Sequence, residues 1–327
     1  MLERPMRVTE IEVSELKSSP IDLFLVASGY EERCTFAAKS LAHLDVRKKV
    51  ALAFTDRRQE ICRLENDRGL IELGFEMVEA SGSSGSAAVD MIREVVSEPR
   101  SDPYHIVVDY SAMTTVWYAS IVTYLCRHAD QDITVDFLYV PAEFAIPLPA
   151  QPNKYVEALE GFSALSSPER PTALVIGLGY ESDRALGLVN YVEPAVTVAF
   201  LSDPALDANF VDSTVEANRP LLRTLGEEHV VRYPLGSLRA TASLLESCCL
   251  GLLKEHRVIL APLGPKPLAL LSMLLACTHS GIEVWRVSAG EKGAVKSRKP
   301  LGKILCVKVD VGAWSSTPPK LTVGPEY

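Results

Sequence analysis

The sequence lacks the residue patterns on which most metal and nucleophile sites are built. It has seven cysteines and six histidines in 327 residues, with no pair of Cys-x-x-Cys units and no His-x-x-x-His pair. No metal site is therefore predicted. No Gly-x-Ser-x-Gly sequence marks a serine nucleophile. The cysteines are odd in number and scattered through apolar segments, which favours a reducing compartment over a disulfide framework.

Positive charge and long apolar runs are also scarce. The net charge of −9 argues against broad coating of nucleic acid. The longest apolar runs, such as residues 268–277, are too short to span a bilayer. The first 17 residues are mixed and charged, without the apolar stretch of an export signal. We expect a cytoplasmic protein that has no membrane partner.

The sequence does contain an internal repeat, with an offset near 150 residues. Residues 23–31, LFLVASGYE, return as ALVIGLGYE at 173–181. Residues 50–54 are matched by 196–200, and 105–109 by 257–261. The repeat indicates a duplicated domain rather than a single large one.

Each half alternates short β-branched strands with helices, which predicts a parallel sheet covered on both faces. The fold class is therefore α/β, with two tandem Rossmann-like parallel-sheet domains that form a pseudo-dimer. The predicted parts are domain 1 (1–140), a Pro-rich linker with a short helix over 154–162 (141–171), domain 2 (172–312) and an extended tail (313–327). A last strand over 303–309 is expected at the edge of the second sheet, as part of a C-terminal hairpin.

In open parallel sheets, ligands bind beyond the carboxyl ends of the strands, where the strand order reverses. This rule selects one group of loop residues in each half and predicts that they line a shared cleft. The first group comprises Ser28, Gly29, Tyr30, Glu31, Ser111, Thr114 and Thr115. The second comprises Gly177, Gly179, Tyr180, Glu181, Gly264 and Lys266. Arg33 and Arg184 lie near the same turns and are expected to reach phosphate.

The repeated Gly-Tyr-Glu triplet is the most specific of these features. A carboxylate in the first turn of a helix complements the helix dipole, which accounts for Glu31 and Glu181 by structure alone. The tyrosines have no capping role, and Tyr30 and Tyr180 are predicted to stack on bases. Gly177-x-Gly179 is similar to a dinucleotide-binding turn, but its third glycine would fall on Ser182. No cofactor is predicted.

Basic residues near the C-terminus form a local exception to the acidic composition. They are Lys292, Lys296, Arg298 and Lys299. This loop is either a solvated hairpin tip or the receiver of an anionic ligand. Lys266 stands between two prolines at a helix start, where the dipole disfavours a cation. It either has an anion beside it or points away into solvent.

The small-residue turn after the first strand of each half (28–31 and 177–181) resembles the CARF family, the Rossmann-like sensor domains of CRISPR defence. The loops after the fourth strands, 109–115 and 262–267, resemble the family in their Gly/Ser/Thr-Lys character. The chain departs from the pattern in having Thr114 and Thr115 where the first lysine is expected. The resemblance implies binding of a cyclic or linear oligonucleotide across the paired domains. It also implies a separate effector protein, because no helix-turn-helix or nuclease domain is expected after residue 312.

Three hypotheses about function follow. The leading one is a cytoplasmic binding protein for a nucleotide or oligonucleotide second messenger, such as a defence-system sensor. The second is a metal-independent phosphodiesterase or other nucleotide-processing enzyme at the same cleft, with Ser28 and Lys266 as candidates for charge stabilisation. The third is a structural subunit of a larger complex.

Overall fold

The computed structural model describes residues 6–18, 20–97, 100, 102–128, 132–147, 149, 152–164, 169–288, 290 and 296–311. The chain forms two compact units. One contains the residues up to 143 together with those from 295 onward, and the other runs from 144 to 294. The described C-terminal residues, 296–311, therefore belong to the first unit.

Strands and helices alternate along the described chain. The strands are β1 (Met6–Ile11), β2 (Ile21–Ser28), β3 (Val46–Phe54), β4 (Glu76–Ala80), β5 (Tyr104–Asp109), β6 (Ile133–Tyr139), β7 (Tyr155–Ala158), β8 (Thr172–Gly177), β9 (Val196–Ser202), β10 (Val230–Tyr233), β11 (Arg257–Pro262), β12 (Ile282–Ser288) and β13 (Leu305–Val311). The helices are α1 (Phe36–Ser40), α2 (Arg63–Glu72), α3 (Ser86–Val95), α4 (Thr115–His128), α5 (Arg184–Val192), α6 (Asn209–Ala217), α7 (Arg219–Leu225), α8 (Leu238–Leu252) and α9 (Lys266–Thr278). Short 3-10 helices cover Val13–Ser18, Glu32–Thr35 and Glu227–His229.

Both units contain the same five-stranded parallel core. In the first sheet its lateral order is β6-β5-β2-β3-β4, and in the second it is β12-β11-β8-β9-β10. Numbered within each repeat, both orders read 5-4-1-2-3. The prediction of two Rossmann-like parallel-sheet domains in an α/β chain is confirmed.

The central strands are apolar on both sides because helices cover both faces of a parallel sheet. All eight residues of β2 are buried. In the first unit a core cluster joins β2 to the α1 and α2 side of the sheet through Phe24, Ala37 and Leu70. In the second unit the corresponding cluster joins Ile176 on β8 to Leu188 on α5 and Leu221 on α7.

Each unit covers one edge of its parallel core with an antiparallel strand. In the first unit β13 pairs with β6, and β1 then pairs with β13. In the second unit β7 pairs with β12. A paired edge no longer offers unpaired N–H and C=O groups to another chain.

These edge strands contradict two of the sequence predictions. The last strand was expected on the second sheet, but β13 lies in the first sheet, beside β6. A helix was expected over 154–162, but Tyr155–Ala158 forms β7. Both errors have the same cause: local sequence does not specify which sheet edge is left unpaired. Between β9 and β10 the chain forms two helices, α6 and α7, with Asn218 at the junction and Pro220 in the first turn of α7.

Five of the cysteines are free thiols: Cys34, Cys62, Cys248, Cys249 and Cys306. None of the described helices has the length and apolar character needed to cross a bilayer. The described residues also include no group of three or more His, Cys, Asp or Glu side chains suited to a metal ion.

Candidate functional site

The candidate site in the first unit lies where the strand order reverses, between β2 and β5. The loops after these strands hold the predicted residues 28–33 and 111–115. Because parallel strands end at the same edge of a sheet, the topology brings the two loops together. The equivalent reversal in the second unit lies between β8 and β11.

Arg33, which was predicted to reach phosphate, is only 2% exposed. Its Nε donates to Glu31 Oε2 at 2.6 Å, its Nη1 to the Val140 carbonyl at 2.8 Å and its Nη2 to the Ser111 carbonyl at 3.2 Å. Burial lowers the pKa of Arg33, but the nearby Glu31 carboxylate outweighs it, and the pKa lies above its usual value. The charged guanidinium therefore connects the ends of β2, β5 and β6 within the protein.

Ser28 and Gly29 are buried as well. The Ser28 hydroxyl is fully buried and donates to Asp67 Oδ1 at 2.5 Å. The Gly29 N–H donates to Cys34 Sγ at 3.0 Å, and the Gly29 carbonyl accepts from Asn66 Nδ2 at 2.8 Å. Burial raises the pKa of the Cys34 thiol to about 12, so this sulfur is protonated at neutral pH. These contacts set the shape of the turn and leave the Ser28 hydroxyl without access to solvent.

The loop after β5 is held by its own side chains. Ser111 is buried, and its hydroxyl donates to the Asp109 carboxylate. The same Oγ accepts from the Val140 N–H at 2.7 Å. Thr114 Oγ1 accepts from the Trp117 N–H at 3.3 Å, near the start of α4. Thr115 is half-buried and is the first residue of that helix.

Tyr30 supplies the aromatic ring of the first group. The residue is half-buried, so part of it remains accessible. The guanidinium carbon of Arg57 lies 5.7 Å from the ring centroid. Burial raises the pKa of Tyr30, Glu31 raises it further, and the cations of Arg57, Arg298 and Arg33 oppose the rise. The net pKa lies above the ordinary value of 10.0, so the phenol keeps its proton at neutral pH and can donate a hydrogen bond.

Residues 296–299, the described part of the basic segment, lie beside the turn that follows β2 in the first unit. The Arg298 carbonyl accepts from the Arg33 N–H at 3.1 Å, and the Arg298 Nε lies 3.9 Å from Glu31 Oε1. Lys299 accepts through its carbonyl from the Glu143 N–H at 3.0 Å. Lys296 is half-buried, and Lys292 lies outside the described residues. The sequence prediction placed this segment on the second sheet; its described part belongs to the first unit because β13, which follows it, pairs with β6.

The glycines of the second unit are explained by close packing between two loops. An added Cβ at Gly177 would lie 2.4 Å from the Leu268 side chain, and one at Gly179 would lie 2.4 Å from the Leu263 carbonyl oxygen. At Gly264 it would lie 2.6 Å from the Leu178 carbonyl oxygen. The loops after β8 and β11 therefore touch through their backbones.

The second Gly-Tyr-Glu triplet has different surroundings from the first. The centroid of the Tyr180 ring lies 5.3 Å from that of Phe210 and 6.5 Å from that of Phe144. Glu181 pairs with Arg184, with Oε2 and Nη1 2.7 Å apart. Lys266 is the first residue of α9 and is half-buried. An acid–arginine pair thus recurs in both repeats, and in the first repeat the guanidinium group of Arg57 lies over the tyrosine ring.

The sequence analysis did not select Arg57, which follows the last residue of β3 by three positions. Its contact with Tyr30 depends on β3 lying beside β2 in the sheet. The pattern that could have identified Arg57 is the pair of consecutive arginines, Arg57 and Arg58, shortly after a predicted strand. The shared cleft between the two repeats stays a prediction.

Comparisons with known proteins do not identify a family for this chain. No family model matches the chain, and no curated protein matches it. Among solved structures, the chain is similar to the cytoplasmic domain of a prokaryotic cation chloride cotransporter, at 11% identity over 84% of this chain and 98% of that chain. The TM-score of 0.23 is too low for this likeness to bear on function.

Proposed function

We propose that this protein binds a nucleotide or oligonucleotide second messenger at the carboxyl edge of the first sheet. The observation that carries the proposal is the half-buried Tyr30 ring, with Arg57 over it and Arg298 beside the neighbouring Glu31. An aromatic face stacks on a base of any identity, and a guanidinium pairs with phosphate in a bidentate way. Arg57 is 22% exposed and Arg298 35% exposed, so both cations reach the surface.

The proposed role is that of a sensor. Binding would be read out by a separate effector protein, as in the defence systems whose sensor domains the sequence resembles. The acidic protein would attract little nucleic acid elsewhere, since its net charge is −9. A messenger with two or three phosphates would instead be held by local charge-assisted contacts, each worth roughly 1.5–3 kcal/mol.

The first experiment is mass spectrometry of small molecules retained by the purified protein. Cyclic and linear oligoadenylates are then titrated by calorimetry into the natural protein and into Arg57→Ala and Arg298→Ala. We expect each of the two substitutions to weaken binding at least tenfold. Arg93→Ala is the matched control, because Arg93 is 62% exposed on α3 and pairs only with Asp90 among the described carboxylates.

Two outcomes would contradict the proposal. One is the absence of any retained nucleotide together with no binding at millimolar concentration. The other is unchanged affinity in both Arg57→Ala and Arg298→Ala. Chromatography of the ligand after incubation separates a binding protein from a nucleotide-processing enzyme, because only the enzyme consumes it.

A further inference from the structure

The first unit contains a helix with apolar residues on its outward face, where the surface helix of a globular protein is ordinarily polar. Leu64 and Ile71 on α2 are each 56% exposed, and Ile61, one residue before the N-cap of the helix, is 53% exposed. Leu64, Arg68 and Ile71 are spaced by four and three residues, so they lie on one face of α2. Arg68 is exposed as well. We call these four residues the α2 ridge.

The inward face of α2 is already bound to its own unit. Asn66 Nδ2 donates to the Gly29 carbonyl at 2.8 Å, and Leu70 lies in the core cluster. A rotation of the helix that buried Leu64 would break this hydrogen bond and expose Leu70. The ridge is therefore a fixed feature of the surface, and clustered apolar residues on a surface mark interaction sites.

The backbone at Ile61 supplies an independent observation. Ile61 has a φ of 40°, in the left-handed region that a β-branched residue rarely adopts. Because its side chain is more than half exposed, packing within the chain does not offset this strain. Strained backbone of this kind is found where function requires a side chain in a particular place. At Ile61 the strain holds an apolar side chain at the surface, which points to a binding partner.

The charges along the ridge are complementary to those of a second copy of the same ridge. Arg68 and Glu65 are exposed and lie three residues apart, yet neither forms an ion pair with another described residue. In an antiparallel pair about a two-fold axis, Ile61 of each copy can lie opposite Ile71 of the other. That register places Arg68 of one copy opposite Leu64 and beside Glu65 of the other. The two-fold axis repeats each contact, so two ion pairs and two apolar contacts form at once.

We propose that the α2 ridge is the interface of a symmetric homodimer of this chain. The partner is a second copy because the ridge carries both the apolar residues and the two opposite charges that such a pairing needs. One short helix offers a small interface, and interfaces below about 1,200 Å² are typical of weak, reversible association. The dimer is therefore expected at micromolar rather than nanomolar concentrations. The inference does not depend on the proposed messenger binding.

Sedimentation equilibrium of the full chain measures the association. We expect a monomer–dimer equilibrium with a Kd of roughly 10–500 µM, in the range of weak complexes. Leu64→Gln and Ile71→Gln are each expected to raise the Kd at least tenfold. The matched control is Leu250→Gln, because Leu250 is an exposed leucine of α8, at 41%, outside the ridge. Its Kd should stay within twofold of that of the natural protein.

Charge reversal identifies the second copy as the partner. Arg68→Glu and Glu65→Arg each place like charges opposite one another in the homodimer, so each variant alone should dimerise at least tenfold more weakly. In an equal mixture of the two variants, both ion pairs form again between unlike chains. We expect the mixture to dimerise with a Kd within about threefold of the natural value. A role of either residue within its own chain cannot produce this rescue.

Ile61→Asn tests the strained position, because asparagine tolerates left-handed backbone. We expect the Kd to rise at least threefold and the melting temperature to be no lower than that of the natural protein. A lower melting temperature would show that the Ile61 side chain serves its own fold and would contradict the inference.

Three further results would overturn the inference. They are a monomer at every concentration up to about 1 mM, equal Kd values for Leu64→Gln and Leu250→Gln, and no rescue in the mixture of charge-reversed variants. A melting temperature measured for each variant excludes unfolding as the cause of lost association. If Leu64→Gln unfolds the protein, the charge-reversed mixture decides, since both of its substitutions lie at exposed positions.

Discussion

At the scale of single residues, a buried arginine holds the candidate site of the first unit together. Arg33 contacts Glu31 after β2, Ser111 after β5 and Val140 after β6. A guanidinium presents several donors in a rigid plane, which a lysine ammonium cannot reproduce. The repeat made Arg33 and Arg184 look equivalent, but burial separates them, since Arg33 is 2% exposed and Arg184 is 18% exposed.

We predict that Arg33→Lys lowers the free energy of unfolding by about 2–4 kcal/mol, because it leaves buried carbonyls and Glu31 with fewer partners. Urea unfolding at neutral pH measures the change. Arg93→Lys, on the exposed face of α3, should change it by less than about 0.5 kcal/mol. Equal effects of the two substitutions would contradict the role given to Arg33.

A second buried charge lies at the opposite end of β2. Asp22 is 5% exposed and accepts from Arg100 Nη1 at 2.9 Å, the His105 N–H at 3.0 Å and Arg47 Nη1 at 3.2 Å. Burial raises the pKa of this carboxyl, but the hydrogen bonds outweigh it and the pKa lies below its ordinary value of 3.8. The carboxylate therefore joins β2 to β3 and β5 in its charged form.

We predict that Asp22→Asn costs about 2–3 kcal/mol of unfolding free energy at pH 7. Because the folded pKa is depressed, this stabilisation is fully present above the unfolded pKa of about 3.9 and is lost as pH falls through the folded pKa. The difference in stability between the natural protein and Asp22→Asn should accordingly shrink below pH 4. Urea titrations from pH 7 to pH 3 measure it. A constant difference across that range would refute the prediction, and Asp90→Asn, an exposed carboxylate, is the control.

At the scale of elements, the two repeats use their switch-point loops differently. In the second unit the Leu263 N–H donates to the Gly177 carbonyl at 3.0 Å, so the loops after β8 and β11 touch directly. In the first unit an added Cβ at Gly29 would lie 3.6 Å from the nearest atom, an ordinary contact distance. The Gly-x-Gly pattern of the second repeat is therefore a packing feature.

We predict that Gly179→Ala and Gly264→Ala each lower the unfolding free energy by about 1–3 kcal/mol, because each methyl group would meet a backbone carbonyl. Neither position requires a left-handed backbone, so the effect is one of space alone. Gly251→Ala in α8 should instead be neutral or stabilising by up to about 1 kcal/mol. Thermal unfolding distinguishes the cases, and a Gly179→Ala protein as stable as Gly251→Ala would contradict the packing argument.

At the scale of the whole molecule, the first unit is discontinuous in sequence. Strand β13 returns to pair with β6 and separates it from β1. Near this return the Leu301 N–H donates to the Pro141 carbonyl at 2.9 Å, and the Glu143 N–H donates to the Lys299 carbonyl at 3.0 Å. Chain positions 143 and 299 are therefore neighbours although 156 residues separate them in sequence.

We predict that a fragment of residues 144–294 folds alone, because it contains its whole sheet. A fragment of residues 1–143 should not unfold cooperatively, since it leaves the β6 edge open and β1 without its partner. Joining residue 143 to residue 295 by a short Gly/Ser linker restores β13 and should restore cooperative unfolding. Circular dichroism and urea unfolding test this; cooperative unfolding of 1–143 alone would contradict it.

Part of the candidate site was predictable, because the strand-end rule needs only the strand order. It led to the turns at Ser111 and at Tyr30, and Tyr30 is the tyrosine that Arg57 covers. It did not predict which of those residues are buried, since Ser28 ends the same strand that Gly29, Tyr30 and Arg33 follow. Their burial depends on contacts with Asp67, Asn66 and Val140, which lie 37 to 107 residues away.

The sequence by itself determined the duplicated α/β fold, because periodicity, strand composition and turn residues act within short segments and recur at a constant offset. Only the tertiary structure decided that β13 joins the first sheet and β7 the second. Strand pairing across a long separation depends on which edge is left open, and no local pattern records that. The same holds for Arg33 and Arg298: their positions follow from the strands that meet around Glu31, not from their neighbours in sequence.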